Sequence, residues 1–461
     1  MKPPHPCPAD HIALAPQATL ALDVLEQGGH EAWCVGGFVR DALLGRDAYD
    51  IDLATAASWQ VVRDLFEAQG FPVFETGVKH GTVTVVIDSM RLEITTYRSD
   101  GAYLDARHPQ TVTFVRTIEE DLARRDFTIN AIAYHPARRL CDPYGGRADI
   151  TTHTLRAVGC ARQRFAEDAL RILRGIRFAS QLGFSLEADT LRGMREQAQL
   201  MECLAVERVA HELEGLLCGE WAHDALLAYV DVLATVMPEV RPLVGFDQKT
   251  PYHIYDVWEH TAYVVQNTPS YPLVRWAALF HDFGKPQAFF TDEAGVGHFY
   301  GHAALSVDAA RTIMRRLKMS PRFAADVITL VKYHDDVIAP QPKAIKRVLQ
   351  RLGGRVDLFR ALCDLKRGDA RSQAPHCHKR VALADELEST LDALLADEQA
   401  FSLRDLAIKG GDVIALGVSA GPAVGHILNA ALDAVIEESV PNEYDALCAF
   451  VQGLRGDSAR P

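Results

Sequence analysis

Apolar and polar positions change rhythm partway along the chain. Near the N-terminus the apolar residues fall in short β-rich runs, Ala32 to Val35, Thr82 to Ile87 and Arg91 to Tyr97, with helical spacing over Thr19 to Gly28 and Ser58 to Gln69 between them. Alternate positions share one face of a strand, whereas a recurrence of 3.6 marks a helix face. Ser58 is a ready N-cap, Gly70 a stop, and Asp88-Ser89-Met90 suits the turn of a hairpin. The order strand, helix, strand, helix, hairpin predicts a small mixed sheet with helices on one side. After the turn-forming Asp142 to Gly146 the spacing becomes helical, over Phe165 to Leu182, Glu187 to Met201, Val206 to Leu217 and Ala222 to Val236, until Pro238 and Pro242 break it. The fold class expected is α+β, a small mixed β-sheet head followed by an all-α body. Boundaries are expected near residues 150, 245 and 372, giving a head (1–150), a helical neck (151–245), a histidine-rich domain (246–372) and a C-terminal helical part (373–461). The proline-rich start, to about residue 17, and the tail after Gly453 read as unstructured.

Chemistry concentrates first between Cys34 and Leu53, CVGGFVRDALLGRDAYDIDL. Gly36 and Gly37 precede a helix, where backbone N–H groups can approach a phosphate closely, and Arg40 one turn on can pair with it. Asp50 and Asp52, two apart on an expected strand, aim two carboxylates at one spot. Converging carboxylates are costly to keep ionised without a cation, and an all-oxygen donor set favours a hard one, Mg2+. Arg124, Arg125 and Asp126 put two fixed cations beside an acceptor, suited to a triphosphate and a ribose hydroxyl.

Bulk composition narrows the partners. A chain of 461 residues exceeds the roughly 250 to 300 residues at which single cores stop growing. No apolar run approaches the roughly 20 residues a membrane helix needs, and the N-terminus carries prolines where a signal peptide needs an apolar stretch, so no membrane association and a cytoplasmic location are expected. The nine cysteines form no C-x-x-C pair, which argues against a disulfide framework or a zinc ribbon. A net charge of −13 excludes binding nucleic acid by bulk attraction and requires a local basic patch. Arg156 to Ser180 supplies one, and Arg162, Arg164 and Arg177 within it are the expected RNA contacts.

The segment GGFVRDALLGR followed by D-x-D resembles the nucleotidyltransferase core of the class II CCA-adding enzymes and their poly(A) polymerase relatives. That resemblance implies a third carboxylate in the hairpin, here Glu93. It also implies ribose recognition by RRDFTINA (Arg124 to Ala131), and a flexible element across Arg98 to Thr117 that takes part in switching from C to A. In the EDALR stretch it implies that Asp168 and Arg171 select the base, with Arg174 nearby on nucleotide phosphates. An Asp acceptor beside an Arg donor matches the edges of cytosine and adenine and mismatches guanine and uracil. By residue spacing alone, Asp168 and Arg171 share a helix face and make an intrahelical salt bridge. The activity implied is template-independent addition or repair of the 3′-terminal CCA of tRNA from CTP and ATP, by two-metal in-line transfer with release of pyrophosphate.

A second constellation follows. His260, His281-Asp282, His302, His334 and Asp369 fall on successive expected helices, and the order His, His-Asp, Asp resembles the HD metal-dependent phosphohydrolases. The resemblance implies a divalent metal of unspecified identity and hydrolysis of 2′,3′-cyclic phosphates. Rival readings are a poly(A) polymerase, an enzyme adding only CC or only A, or, from another class, an HD phosphohydrolase whose head merely binds RNA. RRDFTINA and the lack of a long basic tail favour full CCA addition, and the intact D-x-D argues against a passive head.

Overall fold

The computed structural model describes residues 11–48, 50–100, 112–396 and 402–457, and it divides into two compact units, Met1–Pro238 and Glu239–Pro461. Residues 1–10 of the expected arm and the centre of the 98–117 loop lie outside the described residues.

In the first unit, α1 (Pro16–Gln27) begins on a proline, whose missing N–H is no loss at a helix start. It leads to β1 (Ala32–Val35), α2 (Gly37–Leu43), β2 (Asp52–Thr55) and α3 (Trp59–Ala68), the last capped by the Ser58 hydroxyl accepting from Val61 N–H. Then come β3 (Val73–Gly77), β4 (Thr82–Ile87) and β5 (Met90–Thr96). The edges of the expected loop pair with each other as β6 (Arg98–Asp100) and β7 (Val112–Phe114). After α4 (Ile118–Ala123) the chain returns to the sheet as β8 (Ala133–His135) and β9 (Arg139–Cys141).

The seven-stranded sheet runs β3-β4-β5-β2-β1-β8-β9. Its neighbours are antiparallel except β2 and β5, which lie parallel with Asp52 opposite Glu93. Trp33, Val35, Ala54, Tyr97, Ile118, Leu122, Ala131 and Ala133 form one buried cluster against it. β3, β8 and β9 were not expected: strands of three to five residues give a period of two no room to show. Asp50 precedes β2 and does not lie on it, a correction to the expected Asp-x-Asp strand.

The rest of this unit is mainly helical: α5 (Gly146–Thr151), α6 (Ala161–Glu167), α7 (Leu170–Leu182), α8 (Ala188–Gln197), α9 (Val206–Leu217), α10 (Ala222–Ala228) and α11 (Val230–Val236). Two short strands, β10 (Thr154–Leu155) and β11 (Ser185–Leu186), pair in parallel among them. The single helix expected over 165–182 is split, because Asp168 adopts an extended conformation between α6 and α7. Its carboxylate instead caps the new start by accepting from Leu170 N–H at 3.0 Å.

The second unit contains α12 (Val257–Asn267), α13 (Pro272–Phe280), α14 (Lys285–Ala288), a hairpin of β12 (Phe290–Thr291) and β13 (Gly297–His298), α15 (His302–Arg316), α16 (Pro321–Tyr333), α17 (Pro342–Arg351) and α18 (Val356–Arg371). It ends with α19 (Lys379–Ala396), α20 (Gly410–Ala415), α21 (Pro422–Ile436) and α22 (Tyr444–Asp457). Leu406, Val413, Leu432, Leu447 and Val451 close a separate apolar cluster here. The tail expected to be unstructured from Gly453 is helical as far as Asp457, since Leu447 and Val451 give α22 a buried face. Among the described residues no helix is long and apolar enough to cross a membrane.

Close approach fixes one glycine in the head. A Cβ on Gly146 would lie 2.2 Å from the Thr128 carbonyl oxygen, where α5 packs on the RRDFTINA segment and Thr128 Oγ1 donates to the buried Asp149 at 2.6 Å. Backbone cannot move aside as a flexible side chain can. Gly146→Ala is expected to lower stability by about 1–3 kcal/mol in urea unfolding, with Gly145→Ala as a control that meets no atom within 4 Å but stands in a positive-φ position.

Candidate active sites

Gly36, between β1 and α2, has φ +75°, and a Cβ there would stand 2.9 Å from Arg125 Nη1 and 3.8 Å from Asp52 Oδ2. A side chain is thus excluded both by backbone conformation and by the guanidinium lying over the turn. Asp52 and Glu93 are direct neighbours across the parallel β2–β5 pair, so their carboxylates leave the same face of the sheet. Burial, then the charge of Glu93, then that of Asp50 push Asp52 up to about 6, with Arg125 opposing them. Three acidic groups therefore share one patch with more negative charge than the protein itself neutralises. A hard oxygen donor set under mutual repulsion fits a divalent cation of the Mg2+ type.

Asp52 borders a cavity of about 670 Å³, and every residue expected from the sequence to bind nucleotide lines it: Gly36, Gly37, Arg40, Arg124, Arg125, Asp126, Asp168, Arg171 and Arg174. Asp50 and Glu93 stand outside the lining, both exposed to solvent. The arginines are held by buried acids. Asp121 accepts from Arg124 Nη2 at 2.8 Å and from Arg125 Nη2 at 3.3 Å, one on each oxygen. Asp126 accepts from Arg174 Nε at 2.8 Å, Asn130 Nδ2 at 3.0 Å and Phe127 N–H at 2.8 Å. Burial alone would raise Asp126, but Arg174 and Asn130 together hold it well below the usual carboxylate range. Arg40 grips Asp41 through two bonds of 2.8 Å and donates to Asn130 Oδ1 at 2.9 Å.

Sequence reasoning missed Phe178, Asn130 and Arg208 in this lining. The Phe178 ring carries three guanidiniums, Arg177 at 4.4 Å, Arg40 at 5.2 Å and Arg174 at 5.3 Å, so one π system offsets their repulsion. Its signal was present, since Phe178 stands four residues after Arg174 on α7, but a lone apolar residue in a helix reads as core.

Asp168 and Arg171 both line the cavity but do not pair with each other, which corrects the expected salt bridge. With the helix broken at Asp168, Arg171 is tied to Glu167 Oε2 at 2.9 Å and to the Arg164 and Arg124 carbonyls, while Asp168 accepts from Leu170 N–H through Oδ1 and has a 3.5 Å contact from Arg208 at Oδ2. Of the expected RNA contacts, Arg164 is committed to Glu167, Val158 O and Ala123 O, and Arg177 to Glu212 and Gln181. Arg162 alone projects outward, its side chain 72% exposed.

In the second unit, the expected histidines and aspartates converge. His260 Nε2 lies 3.1 Å from Asp369 Oδ1 and 3.4 Å from His281 Nε2; His302 Nε2 lies 3.2 Å from His334 Nε2. Asp282 sits between the two pairs, 3.0 Å from His281 and 3.4 Å from both His260 and His302. Each ring turns its Nδ1 to a main-chain carbonyl: Ser372 for His260, Ala278 for His281, Phe299 for His302 and Val331 for His334. In its neutral form a ring so bonded carries its proton on Nδ1 and presents the Nε2 lone pair inward. Burial alone would lower His281, but the Asp282 carboxylate beside it raises it. Burial pushes His334 down to about 3 and keeps it in that neutral form. Against the cost of burial, His281 and the Lys285 ammonium hold Asp282 ionised. Nε2 atoms facing one another around a carboxylate fit a bound metal ion better than they fit each other.

His253 joins this cluster and was not foreseen. It lies with His260 and Asp282 at ligand spacing, and burial, helped by Lys285, drives it down to about 2. It precedes α12 in an aperiodic loop, so no helix face drew attention to it. Lys285 Nζ reaches Asp282 at 2.6 Å, Gln248 Oε1 at 2.7 Å and His253 Nε2 at 3.2 Å.

A mixed-sheet head with a carboxylate patch against an arginine-lined cavity, followed in the chain by a helical His/Asp centre, defines a nucleotidyltransferase joined to an HD domain. Family models agree in order: Poly A polymerase head domain over residues 32–156, a probable RNA and SrmB-binding site of polymerase A over 183–243, HD domain over 252–390, and a tRNA nucleotidyltransferase domain 2 over 377–451. The CCA-adding enzyme of Leuconostoc mesenteroides is 33% identical over 95% of this chain and 96% of its own, and that of Geobacillus kaustophilus 34% identical over 94% and 96%. The Bacillus stearothermophilus CCA-adding enzyme, solved in complex with CTP, superposes with a TM-score of 0.71 at 29% identity, over 96% of this chain and 99% of that one. The chain belongs to the CCA-adding enzyme family of tRNA nucleotidyltransferases.

Removing one partner of the Asp126–Arg174 pair strands a buried charge. Arg174→Ala is expected to cost about 2–3 kcal/mol at pH 7, below the full value for a buried pair because the Arg174 side chain is one-third exposed. A depressed carboxylate contributes its full stability above its unfolded value of about 4 and loses that contribution as pH falls from there through the lower folded value. The deficit of Arg174→Ala should therefore hold steady above about pH 5 and shrink as the pH is lowered below about 4, as followed by urea unfolding.

Proposed function

We propose that this protein adds or repairs the 3′-terminal CCA of tRNA with CTP and ATP and no nucleic-acid template. One observation carries the reading: Asp52, crowded by Glu93 and Asp50, borders a cavity otherwise furnished with arginines, so a cation site and a triphosphate site meet at one edge. Asp50, Asp52 and Glu93 would hold Mg2+, which when bound supplies Lewis acidity to the attacking and leaving oxygens. The tRNA 3′-oxygen forms its bond to the α-phosphorus as the α–β phosphoanhydride bond breaks and pyrophosphate leaves. Arg124 and Arg125, fixed by Asp121, and Arg40 take up phosphate charge, and Asp126 faces the ribose. Arg162 is the contact for the RNA backbone.

Base choice is assigned to Asp168 and Arg171. Asp168 Oδ1 is taken by Leu170 N–H, but the 3.5 Å contact from Arg208 is too long to satisfy Oδ2, and the exocyclic amino group of cytosine or adenine would replace it there. Arg171, positioned by Glu167 and two carbonyls, donates to the adjacent ring nitrogen. Guanine and uracil would set a carbonyl against the carboxylate and an N–H against the guanidinium.

The His/Asp centre supports a second activity, hydrolysis of 2′,3′-cyclic phosphates. His260, His281, Asp282, His302, His334 and Asp369 would hold one or two divalent ions, and the bound metal supplies Lewis acidity toward the ester phosphorus. Arg380, exposed at the rim of this cavity, is placed to receive the phosphate.

Transcripts ending before C74, C75 or A76, offered CTP and ATP together and apart, test the first reading. One CCA and no further growth is expected, whereas repeated addition from ATP alone would make the enzyme a poly(A) polymerase, and a halt after CC or activity only on CC ends would make it a partial enzyme. Asp50→Ala should lower incorporation roughly 10³-fold, from several kcal/mol of lost metal stabilisation, and leave cyclic-phosphate hydrolysis intact. His281→Ala should do the reverse, and a loss of both activities in either variant would contradict two independent centres. In separate assays Asp168→Ala is expected to narrow the preference for CTP over UTP by about ten- to a hundredfold.

A further inference from the structure

The β12–β13 hairpin carries three aromatic side chains that no fold requirement explains. Phe290 opposes His298 in the hairpin register, and their rings lie 5.3 Å apart and 28° from parallel. His298 in turn stacks on Tyr300 at 5.6 Å and 20°. Alternation along the strands separates two faces. Phe289 and Phe299 pack together at 5.5 Å, partly buried, with Phe289 edge-on to Phe246 at 5.2 Å, and they root the hairpin. Phe290 and Tyr300 instead stand 46% and 77% exposed. Leaving two large rings in water gains nothing for the fold.

The platform is held rigidly. Asp292 accepts from Ala294 and Val296 N–H at 2.9 Å through one oxygen and bonds His298 Nε2 at 2.9 Å through the other, tying the turn to a cluster in which Phe290 and Tyr300 also meet, at 5.6 Å. At its base Gly297 N–H donates to Lys249 O at 2.8 Å, and a Cβ there would lie 2.2 Å from Gln248 O. His298 and Tyr300 also line the cavity of about 320 Å³ that holds His281, Asp282, His302 and His334, and Arg380 is in the same lining.

We propose that this hairpin is a stacking platform for the base of the nucleotide whose phosphate is processed at the His/Asp centre. The inference rests on the hydrolase reading of that centre and adds where the base of its nucleoside 2′,3′-cyclic phosphate substrate, free or at the end of an RNA, is held. An aromatic face binds any base, and Phe290, His298 and Tyr300 offer no fixed pattern of donors and acceptors that would select one. The site is thus specific for a nucleotide over a simple phosphodiester and tolerant of base identity.

The test compares adenosine 2′,3′-cyclic phosphate, a short RNA ending in a cyclic phosphate, and a methyl riboside 2′,3′-cyclic phosphate that lacks a base, with ATP present to occupy the head. Tyr300→Ala and Phe290→Ala should raise KM for the first two about tenfold with kcat retained, and change KM for the base-free ester less than twofold. Tyr300→Trp should restore KM. Because Tyr300 stands two residues before His302, Phe290→Ala separates stacking from disturbance of the metal residues. An effect on the RNA alone would identify an RNA end as the substrate, and on both, either source. Equal loss on all three substrates, or none on any, overturns the platform. Binding is read independently as fluorescence quenching of 2-aminopurine riboside 2′,3′-cyclic phosphate. Quenching that needs Tyr300 but comes without hydrolysis, under any divalent metal, would retain the platform and refute the hydrolase. Hydrolysis with no quenching would do the opposite.

Discussion

A buried carboxylate must find a positive partner, and both centres of this protein are arranged around that requirement. Asp121 and Asp126 are nearly inaccessible to water, and each is satisfied by arginines that line the cavity of the head. The acids need the arginines as much as the arginines need placing. Long, flexible cations would otherwise spend rotamer entropy on reaching a triphosphate; here that entropy is given up on folding. Asp282 has the same position in the second unit, where His281 and Lys285 keep it charged and the Nε2 atoms of four imidazoles surround it. Order in each site therefore comes from acids that are buried at a cost.

The patch at Asp52 works in the opposite sense. Asp50, Asp52 and Glu93 are left without enough internal cation, and the strain shows as an Asp52 carboxyl raised to about 6. Satisfied acids fix the walls of the cavity while unsatisfied acids mark where an outside ion is wanted. Gly36 sits at the seam, beneath Arg125 on one side and next to Asp52 on the other. Its missing side chain lets the two charge systems approach without a wall of carbon between them.

Much of this was legible in the sequence because the residues of both candidate sites lie in dense local motifs. The nine residues expected around the nucleotide come from three short segments, and all nine line one cavity. The His/Asp order predicted convergence because each residue falls at or near a helix end, where a turn in the chain brings it back. What stayed hidden was decided by long-range partners. Arg164 and Arg177 look like surface cations until Ala123, Glu167 and Glu212 are seen to absorb them. Asp168 looks helical because its own capping bond, which breaks the helix, has the same i to i+2 spacing that turns and helix starts share. His253 lies in a loop with no period, and β8 and β9 are too short to show one.

The parallel pairing of β2 with β5 also bears on when the site comes into being during folding. Asp52 and Glu93 meet only after a helix and a hairpin have been placed between them, so theirs is a non-local contact whose loop closure must be met before it yields anything. It also brings like charges side by side, so electrostatics do not drive this pairing; the apolar neighbours Leu53 and Ile94 must carry it. A partly folded chain holds these carboxylates apart and presents no cation site. Competence for nucleotidyl transfer is in this way withheld until the centre of the sheet has closed, which keeps a polymerising activity out of unfinished protein.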